Sequence, residues 1–411
     1  MKWPFAKFEE VALPGKGAIV SGPFGSNIGS RFFVSEGVPV IRGNNLTFGE
    51  RRFIDDGFVY LTEEKAREFK NCQAIAGDLV FTAAGTIGQV GIIPPDTRFD
   101  RYIISNKQLR VRCDPTKVHP LFLFLWFTTE YMRQYLINQN RGCSIPLINL
   151  GTLRNLPVPL PPLETQQAIA NTLSTYDELL ENNRRRMILL EESARLLYQE
   201  WFVSLRFPGH EHTSVTNGIP AGWHRMPAPE AIDINPTTKL SDEQEHWYVE
   251  MADLPTDSMV IQNAIRRDGR SGSKFRNGDT LLARITPCLE NGKTGFVNFM
   301  ADGEAGRGST EFIVLRSKRV TPEFVYCLAR TYIFRENAVK SMVGSSGRQR
   351  VQESCFEKFM IWIPPHSLLN LFSEFAEPVF QQIKVLHAQN QKLRAARDLL
   401  LPRLMSGEIA V

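Results

Sequence analysis

The chain has 411 residues, of which 43% are hydrophobic and 22% charged, and its formal net charge is +4. This ordinary globular balance leaves room for two or three domains, and the mild positive charge permits an anionic partner without requiring one. The sequence has no apolar run near the ~20 residues of a membrane span, no signal-peptide core and no CxxC pair, so we expect a cytoplasmic protein without a zinc ribbon or redox pair.

The first part of the chain, about 160 residues long, is predicted to form short strands, because its apolar runs are repeatedly broken by Gly, Pro and Asn. One helical segment, at residues 119–137, interrupts these strands. Two prolines at 161–162 end this part, and a helical pattern starts directly after them.

The same order of patterns recurs later in the chain. The prolines at 161–162 have counterparts at 364–365, an offset of 203, and the helical segment at 119–137 has a counterpart at 321–340. The stretch "AGDLV" in the first part likewise resembles "NGDTL" in the second. The two halves are therefore predicted to be divergent copies of one structural unit.

After each double proline, core residues recur at alternating spacings of four and three, the pattern of a coiled-coil seam. Pro378 lies inside the second pattern, and Thr175-x-x-Glu178 at the aligned place resembles a capping box, so each helix is predicted to break there. The long helices are then predicted over roughly 176–203 and 378–405, each about 40 Å long. The predicted seam residues are Leu180, Asn183, Met187, Leu190 and Leu197 in the first helix, and Ile383, Leu386, Asn390, Leu393 and Leu400 in the second.

Two such seams in one chain are predicted to pack against each other as an antiparallel pair with a pseudo-twofold axis. Each seam contains an Asn, and polar seam residues cost stability but fix the register. Two registers remain open, one with Asn183 opposite Asn390 and one with Asn183 opposite Arg397. The alternative is that each helix packs on its own domain, but no other large apolar surface is evident to receive the helices.

These patterns predict an α+β chain with two tandem mixed α/β domains of similar fold, separated and bridged by the two long antiparallel helices. The predicted boundaries are 1–162 for the first globular domain, 163–206 for the central helical spacer, 207–365 for the second globular domain and 366–411 for the distal helical spacer.

Polar loops at equivalent places in both copies are candidate binding surfaces. Ser, Thr, Asn and Arg side chains bind phosphates, and Arg, Asn and Gln read base edges in the major groove. For any single loop the alternative is an ordinary solvated turn, and the aromatic residues, 10% of the chain, are not concentrated there, which argues against single-strand stacking. The candidate DNA-binding residues are Ser21, Phe24, Ser26, Asn27, Arg42, Asn44, Asn45, Thr82, Thr86, Arg141, Ser144 and Asn149 in the first copy, and Arg266, Arg267, Arg270, Lys274, Arg284, Thr286, Lys293, Ser345, Ser346, Arg348, Gln349 and Arg350 in the second.

No catalytic constellation can be assembled from the sequence. The stretch "ENGKTG" at 290–295 ends like a P-loop, but Pro287 stands where the motif needs its first Gly. The chain lacks the Asn/Asp-Pro-Pro-aromatic motif of amino-methyltransferases, and its seven histidines show no metal-ligand spacing. We therefore expect a non-catalytic chain with no metal and no cofactor of its own.

Several stretches together resemble the specificity (S) subunits of type I restriction-modification systems. They are "GPFGSN", "GVPVIRGNNL", "RITPCLENGKTG", "LLYQEWF" and the paired "PLPPLETQQAIA" and "IPPHSLLNLF". The resemblance covers essentially the whole chain and lies in its arrangement, two target-recognition domains each followed by a helical repeat. The second copy departs from it at the start of its helix, where "SLLN" replaces "ETQQ".

The resemblance implies a non-catalytic subunit whose two domains each read one half of a bipartite target in double-stranded DNA. It also implies that the helices set the gap between the half-sites and dock two methyltransferase subunits, which carry S-adenosylmethionine and methylate adenine. With a restriction motor-nuclease subunit, which uses ATP and Mg, the complex would cut unmodified foreign DNA. A helical rod of about 40 Å is slightly longer than one turn of B-DNA, about 34 Å. The alternatives are a self-contained DNA-modifying enzyme and a coiled-coil scaffold without a DNA role.

Overall fold

The computed structural model describes residues 3–49, 51–140, 146–240, 245–345 and 347–411. The chain forms two compact units. Unit 1 comprises Met1–Leu180 together with Lys392–Val411, and unit 2 comprises Glu181–Gln391. Each long helix therefore contributes residues to both units.

Unit 1 combines antiparallel and mixed sheets with short helices. Its strands are β1 (Phe5–Lys7), β2 (Ile19–Ser21), β3 (Phe33–Val34), β4 (Val38–Ile41), β5 (Val59–Leu61), β6 (Gln73–Ala74), β7 (Leu79–Thr82), β8 (Val90–Ile92), β9 (Tyr102–Ile104), β10 (Gln108–Val111) and β11 (Pro157–Pro159). Its short helices are α1 (Glu63–Glu68), α2 (Pro120–Thr128), α3 (Glu130–Asn138) and α4 (Leu150–Arg154). The strand orders are β2-β10-β7-β8, β3-β5-β4-β9-β6 and β1-β11, and β4 runs parallel to β9.

Unit 2 repeats this plan. Its strands are β12 (Val215–Thr216), β13 (Ile219–Pro220), β14 (His224–Pro227), β15 (Ile232–Ile234), β16 (His246–Val249), β17 (Ile265–Arg267), β18 (Ser273–Arg276), β19 (Thr280–Ala283), β20 (Thr294–Phe296), β21 (Ala305–Gly308), β22 (Phe312–Ser317) and β23 (Met360–Ile363). The strand orders β15-β22-β19-β20, β17-β16-β21-β18 and β14-β23 match those of unit 1, except that β3 has no counterpart and unit 2 adds the pair β12-β13. Strand β16 runs parallel to β21 as β4 does to β9. The predicted α+β architecture with two domains of similar fold is confirmed.

The helical insertion in each unit consists of two short helices rather than one. In unit 1 these are α2 and α3. In unit 2, α6 (Ala228–Ala231) precedes α7 (Pro322–Arg330) and α8 (Tyr332–Lys340), the counterparts of α2 and α3. The break falls at Thr129 and at Thr331, whose hydroxyls accept hydrogen bonds from the backbone N–H groups of Met132 and Phe334. A Thr in this extended conformation caps the following helix, which explains the break.

A buried ion pair fixes the start of the central strand in each unit. Asp279, directly before β19, is fully buried and accepts two hydrogen bonds from Arg316, both of 2.7 Å. Asp78 occupies the equivalent place before β7 and accepts bonds of 2.8 and 2.7 Å from Arg112. The Gly-Asp repeated in the two copies therefore marks a shared structural feature.

The long helices are continuous, so the predicted break near their start is wrong. They are α5 (Leu163–Tyr198), followed by a π-helical turn at Gln199–Val203, and α9 (His366–Ser406). The Thr175 hydroxyl does not cap a new helix but donates to the carbonyl of Asn171 at 3.1 Å within α5. Pro378 is exposed, whereas Ala376 and Val379 beside it are buried, so packing on the core side outweighs the loss of one backbone hydrogen bond.

The two helices pair in antiparallel orientation, in the first of the two predicted registers. The Asn183 amide donates to the Asn390 side-chain oxygen at 3.0 Å, and both residues are buried in unit 2. Arg397, the partner in the alternative register, instead donates to Asp177 at 2.6 Å in unit 1. Of the predicted seam residues, Asn183, Ile383, Leu386 and Asn390 are buried, and Leu180, Met187, Leu190, Leu197, Leu393 and Leu400 are half-buried.

Candidate nucleic-acid interface

In unit 1, several of the predicted polar loops lie side by side at one end of the strands of the β2-β10-β7-β8 sheet. The Gly22 N–H donates to the carbonyl of Gln108, and the Ala83 N–H donates to the carbonyl of Lys107. The Ile148 N–H in turn donates to the carbonyl of Ala83. We call the surface formed by residues 21–27, 42–45, 82–88, 105–107 and 146–149 the first loop surface.

The loop at 42–45 joins this surface through the turn between β9 and β10, because the Ser105 N–H donates to the carbonyl of Ile41 at 2.9 Å. Arg42, which follows Ile41, is half-buried. The side chains of seven other candidates are exposed, namely Ser21, Phe24, Ser26, Asn27, Asn44, Thr86 and Asn149. Two of them also hold the fold, because the Asn149 oxygen accepts from the Thr152 N–H at 2.8 Å and the Asn44 amide donates to the carbonyl of Gly57 at 3.2 Å.

Two candidates in unit 1 are structural residues, and direct contact of their side chains with DNA is excluded by burial. Asn45 is fully buried, and its amide donates to the carbonyls of Ile54 at 3.0 Å and Asp56 at 2.8 Å. Thr82 is 2% exposed, and its hydroxyl donates to the side-chain oxygen of Gln89 at 3.0 Å. Both side chains use their polar atoms inside the fold, which their residue types alone do not reveal.

In unit 2, the predicted loops meet at the equivalent strand ends, next to the start of β22. The Thr286 N–H donates to the carbonyl of Gln349, and the Arg284 N–H donates to the carbonyl of Glu311. The Val351 N–H donates a hydrogen bond to the carbonyl of Arg284. We call the surface formed by residues 283–287, 309–311, 343–345 and 347–350 the second loop surface.

Arginine–glutamate pairs distinguish the second loop surface from the first. Arg350 makes a bidentate pair with Glu311, at 2.9 Å from Nε and 2.6 Å from Nη2 to Oε1. Hydrogen bonds from Arg350 lower the pKa of Glu311, so this carboxylate stays ionised. Arg284 lies 3.4 Å from a carboxylate oxygen of Glu353. Such pairs hold the planar guanidinium groups in fixed orientations.

A second basic area in unit 2 lies on strands β16 and β17. Arg266 pairs with Glu304 at 2.5 Å and stacks over the ring of Trp247, 4.9 Å from its centroid. Arg267 stacks over the ring of Tyr248, 3.3 Å from its centroid. Both arginines are exposed, and their side chains are held by aromatic rings rather than left free to move.

The remaining candidates in unit 2 differ in their environment. Lys293 is half-buried and donates to the carbonyl of Met251 at 2.7 Å, which indicates a role in holding the loop. Arg270 and Arg348 are exposed and contact no carboxylate in the part of the chain that the structure describes. Ser345 is exposed, whereas Lys274, Thr286 and Gln349 are half-buried. The candidates Arg141, Ser144 and Ser346 lie outside the described residues.

Sequence reasoning missed the turn that links the loops in each unit. In unit 1 it contains Asn106 and Lys107, both exposed, and in unit 2 it contains Glu311, the partner of Arg350. A signal was present, because "SNKQ" at 105–108 and "STEF" at 309–312 occupy equivalent places in the two copies.

Within the described residues, no group of three or more His, Cys, Asp or Glu side chains is placed to hold a metal ion. None of the helices described there is long and apolar enough to span a membrane.

Comparison with known proteins shows which proteins this chain is similar to. Residues 32–192 match the model of the type I restriction modification DNA specificity domain. The chain is 25% identical over 390 residues to the type I restriction enzyme MjaIX specificity subunit of Methanocaldococcus jannaschii, covering 91% of this chain and 87% of that protein. It is 23% identical over 384 residues to the HindI specificity subunit of Haemophilus influenzae, covering 76% of this chain and 83% of that protein.

A solved structure shows the same fold. The S subunit of a type I restriction-modification system from M. genitalium superposes with a TM-score of 0.59 at 15% identity, covering 98% of this chain and 96% of the other. The family match, the relatives that span most of the chain and the repeated α+β units agree with each other. Over most of its length the chain is similar to type I restriction enzyme specificity subunits.

Proposed function

We propose that this chain is the non-catalytic subunit that gives a type I restriction-modification complex its DNA sequence specificity, with each unit reading one half of a bipartite target in double-stranded DNA. The main support for this proposal is the repeated strand order, which brings polar loops to equivalent strand ends in both units. Loops held on a rigid sheet present side chains to a duplex with little ordering cost.

The proposal assigns chemistry to partner subunits. Two methyltransferase subunits would carry S-adenosylmethionine and methylate adenine in the cytoplasm, and restriction subunits would use ATP and Mg to cut unmodified DNA. Exposed apolar side chains on the outer faces of the long helices support docking there, because large exposed apolar residues commonly mark protein contacts. They are Leu179, Ile188, Leu189, Leu196, Val385 and Leu399.

Duplex binding by the assembled complex tests the DNA role. We expect the complex with methyltransferase subunits to bind a duplex carrying its target more tightly than a scrambled duplex, and binding to weaken as salt rises because Lys and Arg displace counterions from phosphates. Adenine methylation should need the methyltransferase subunits, and this chain alone with S-adenosylmethionine should transfer no methyl group.

The alternatives give different results. Equal binding of target and scrambled duplexes, or no binding at all, would favour a coiled-coil scaffold without a DNA role. Methyl transfer by the chain alone would show a self-contained enzyme.

A further inference from the structure

Phe24 projects from the first loop surface with its side chain 83% exposed, more than any other large hydrophobic residue described in the chain. Scattered exposed apolar side chains are common and need no explanation. Phe24 differs because the residues around it are anchored in the fold. Pro23 is buried, and Ile28 is 5% exposed, so the chain enters the core on both sides of the exposed ring.

The backbone around Phe24 is held tightly. The Asn27 N–H donates to the carbonyl of Phe24 at 2.8 Å, and Arg31 donates to the carbonyl of Ser26 at 3.2 Å. Gly22 lies so close to the neighbouring turn that a Cβ atom there would be 1.8 Å from the carbonyl oxygen of Ser105. The outward position of the ring is therefore built into the loop.

The surroundings of Phe24 suit an anionic partner. The segments of the first loop surface, residues 21–27, 42–45, 82–88, 105–107 and 146–149, contain no Asp or Glu. They do contain exposed polar or cationic side chains, among them Asn27 and Lys107. An exposed apolar ring on a surface that bears polar and cationic side chains and no acidic residues suits a nucleic acid, which offers phosphates at its rim and apolar base faces between them.

We propose that Phe24 is a wedge that inserts between two base pairs of the half-site read by unit 1. This inference rests on the proposed function and adds a mechanism to it. Apolar wedges partly unstack one base step and bend the duplex, so the sequence dependence of stacking contributes to recognition without a hydrogen bond to a base. The equivalent position in unit 2 follows β15 with "NPTT" and carries no aromatic ring, so the wedge is specific to unit 1.

The test uses the complex with methyltransferase subunits and target duplexes in which 2-aminopurine replaces one base at a time. We expect the wild-type complex to raise 2-aminopurine fluorescence at one step of the unit 1 half-site, apart from the methylated adenine. Phe24→Ala should abolish that increase and weaken target binding about tenfold, since stacking on an aromatic ring contributes strongly to binding. Phe24→Leu should keep most of the increase, because an apolar wedge remains.

Phe5→Ala is the matched control, since Phe5 is 45% exposed in the same unit but lies on β1, outside the first loop surface. It should change neither fluorescence nor affinity. An unchanged signal in Phe24→Ala would overturn the wedge. Loss of a methyltransferase subunit from Phe24→Ala, with stacking unchanged in the complexes that remain, would also overturn it and identify a protein contact. A wild-type complex that does not distinguish its target would contradict the proposed function itself.

Discussion

Arg350 shows how a single side chain on the second loop surface is prepared for recognition. Its Nε and Nη2 atoms are held by Glu311, which leaves the Nη1 side of the guanidinium available for a base or phosphate. A guanidinium fixed in this way loses little conformational entropy when it binds, and Arg is the commonest reader of guanine.

Replacement of Arg350 by Ala should therefore relax or abolish reading of one half-site and leave the other intact. A lost bidentate base contact costs about 1–3 kcal/mol of discrimination. Arg348→Ala, on the same loop, should act on the same half-site. Mapping of methylated adenines in cells that carry each variant measures the effect.

Arg185→Ala is the control, because Arg185 is an exposed helix residue that pairs with Glu181 away from the loops. It should leave both half-sites unchanged. Equal loss at both half-sites in Arg350→Ala would count against independent reading by the two units. Glu311→Gln should weaken the same half-site as Arg350→Ala but less severely, since the arginine remains.

At the residue scale, sequence reasoning identified residue types correctly but not their burial. Asn45 and Thr82 have the chemistry of DNA contacts, yet both lie inside the fold with their polar atoms satisfied. The role of Asp279 could not be predicted from the sequence, because its partner, Arg316, is 37 positions away in the chain. Such pairings depend on strand order, which a local pattern does not contain.

At the scale of elements, α5 is tied to the body of unit 2 by a buried carboxylate. Glu191 on α5 is 4% exposed and accepts hydrogen bonds of 2.6 Å from the Tyr326 hydroxyl on α7 and from the Met259 N–H. One side chain thus joins three segments of the chain.

Glu191 is expected to make stability depend on pH. Burial raises its pKa above the ordinary value of 4.5, although hydrogen bonds from Tyr326 and the charge of Arg330 oppose the shift. An acid with a raised pKa binds its proton more tightly in the folded state, so its contribution is fully present below the unfolded pKa and is lost as pH rises through the folded pKa.

Glu191→Gln removes this titration and keeps a side chain that can accept from Met259 and donate to Tyr326. Relative to wild type, its melting temperature should therefore increase as pH rises from about 4 to 8. Glu192→Gln, an exposed neighbour, should follow the wild-type curve. Parallel curves for wild type and Glu191→Gln would show that Glu191 does not titrate differently on folding.

The long helices show where element-level prediction succeeds and fails. The alternating spacing correctly predicted antiparallel pairing, and the Asn183–Asn390 bond settles the register that spacing left open. The predicted breaks were wrong because Pro378 and the Thr175 motif were interpreted by local rules. Packing of the seam overrides those rules in the folded chain.

At the scale of the whole molecule, most of the fold could be predicted from the internal repeat. Matching Gly-Asp segments and double prolines implied two copies of one plan, and the matching strand orders confirm it. The two loop surfaces nevertheless differ in chemistry, with a polar surface bearing Phe24 in unit 1 and arginine–glutamate pairs in unit 2. The DNA sequence that each unit reads depends on these side-chain geometries, which the repeat pattern does not encode.

Because α5 and α9 each contribute to both units, their length is expected to set the gap between the two half-sites. Inserting one heptad after Asn183 in α5 and one before Asn390 in α9 keeps the paired seam intact and adds about 10 Å of helix. An insertion in α5 alone is the control, since it shifts the register and should impair assembly or methylation.

The most direct measurement is a genome-wide map of methylated adenines in cells that carry the double insertion. Both half-site sequences should stay the same while the gap between them grows by about 3 base pairs, at ~3.4 Å per pair. Methylation at the original gap would contradict this prediction.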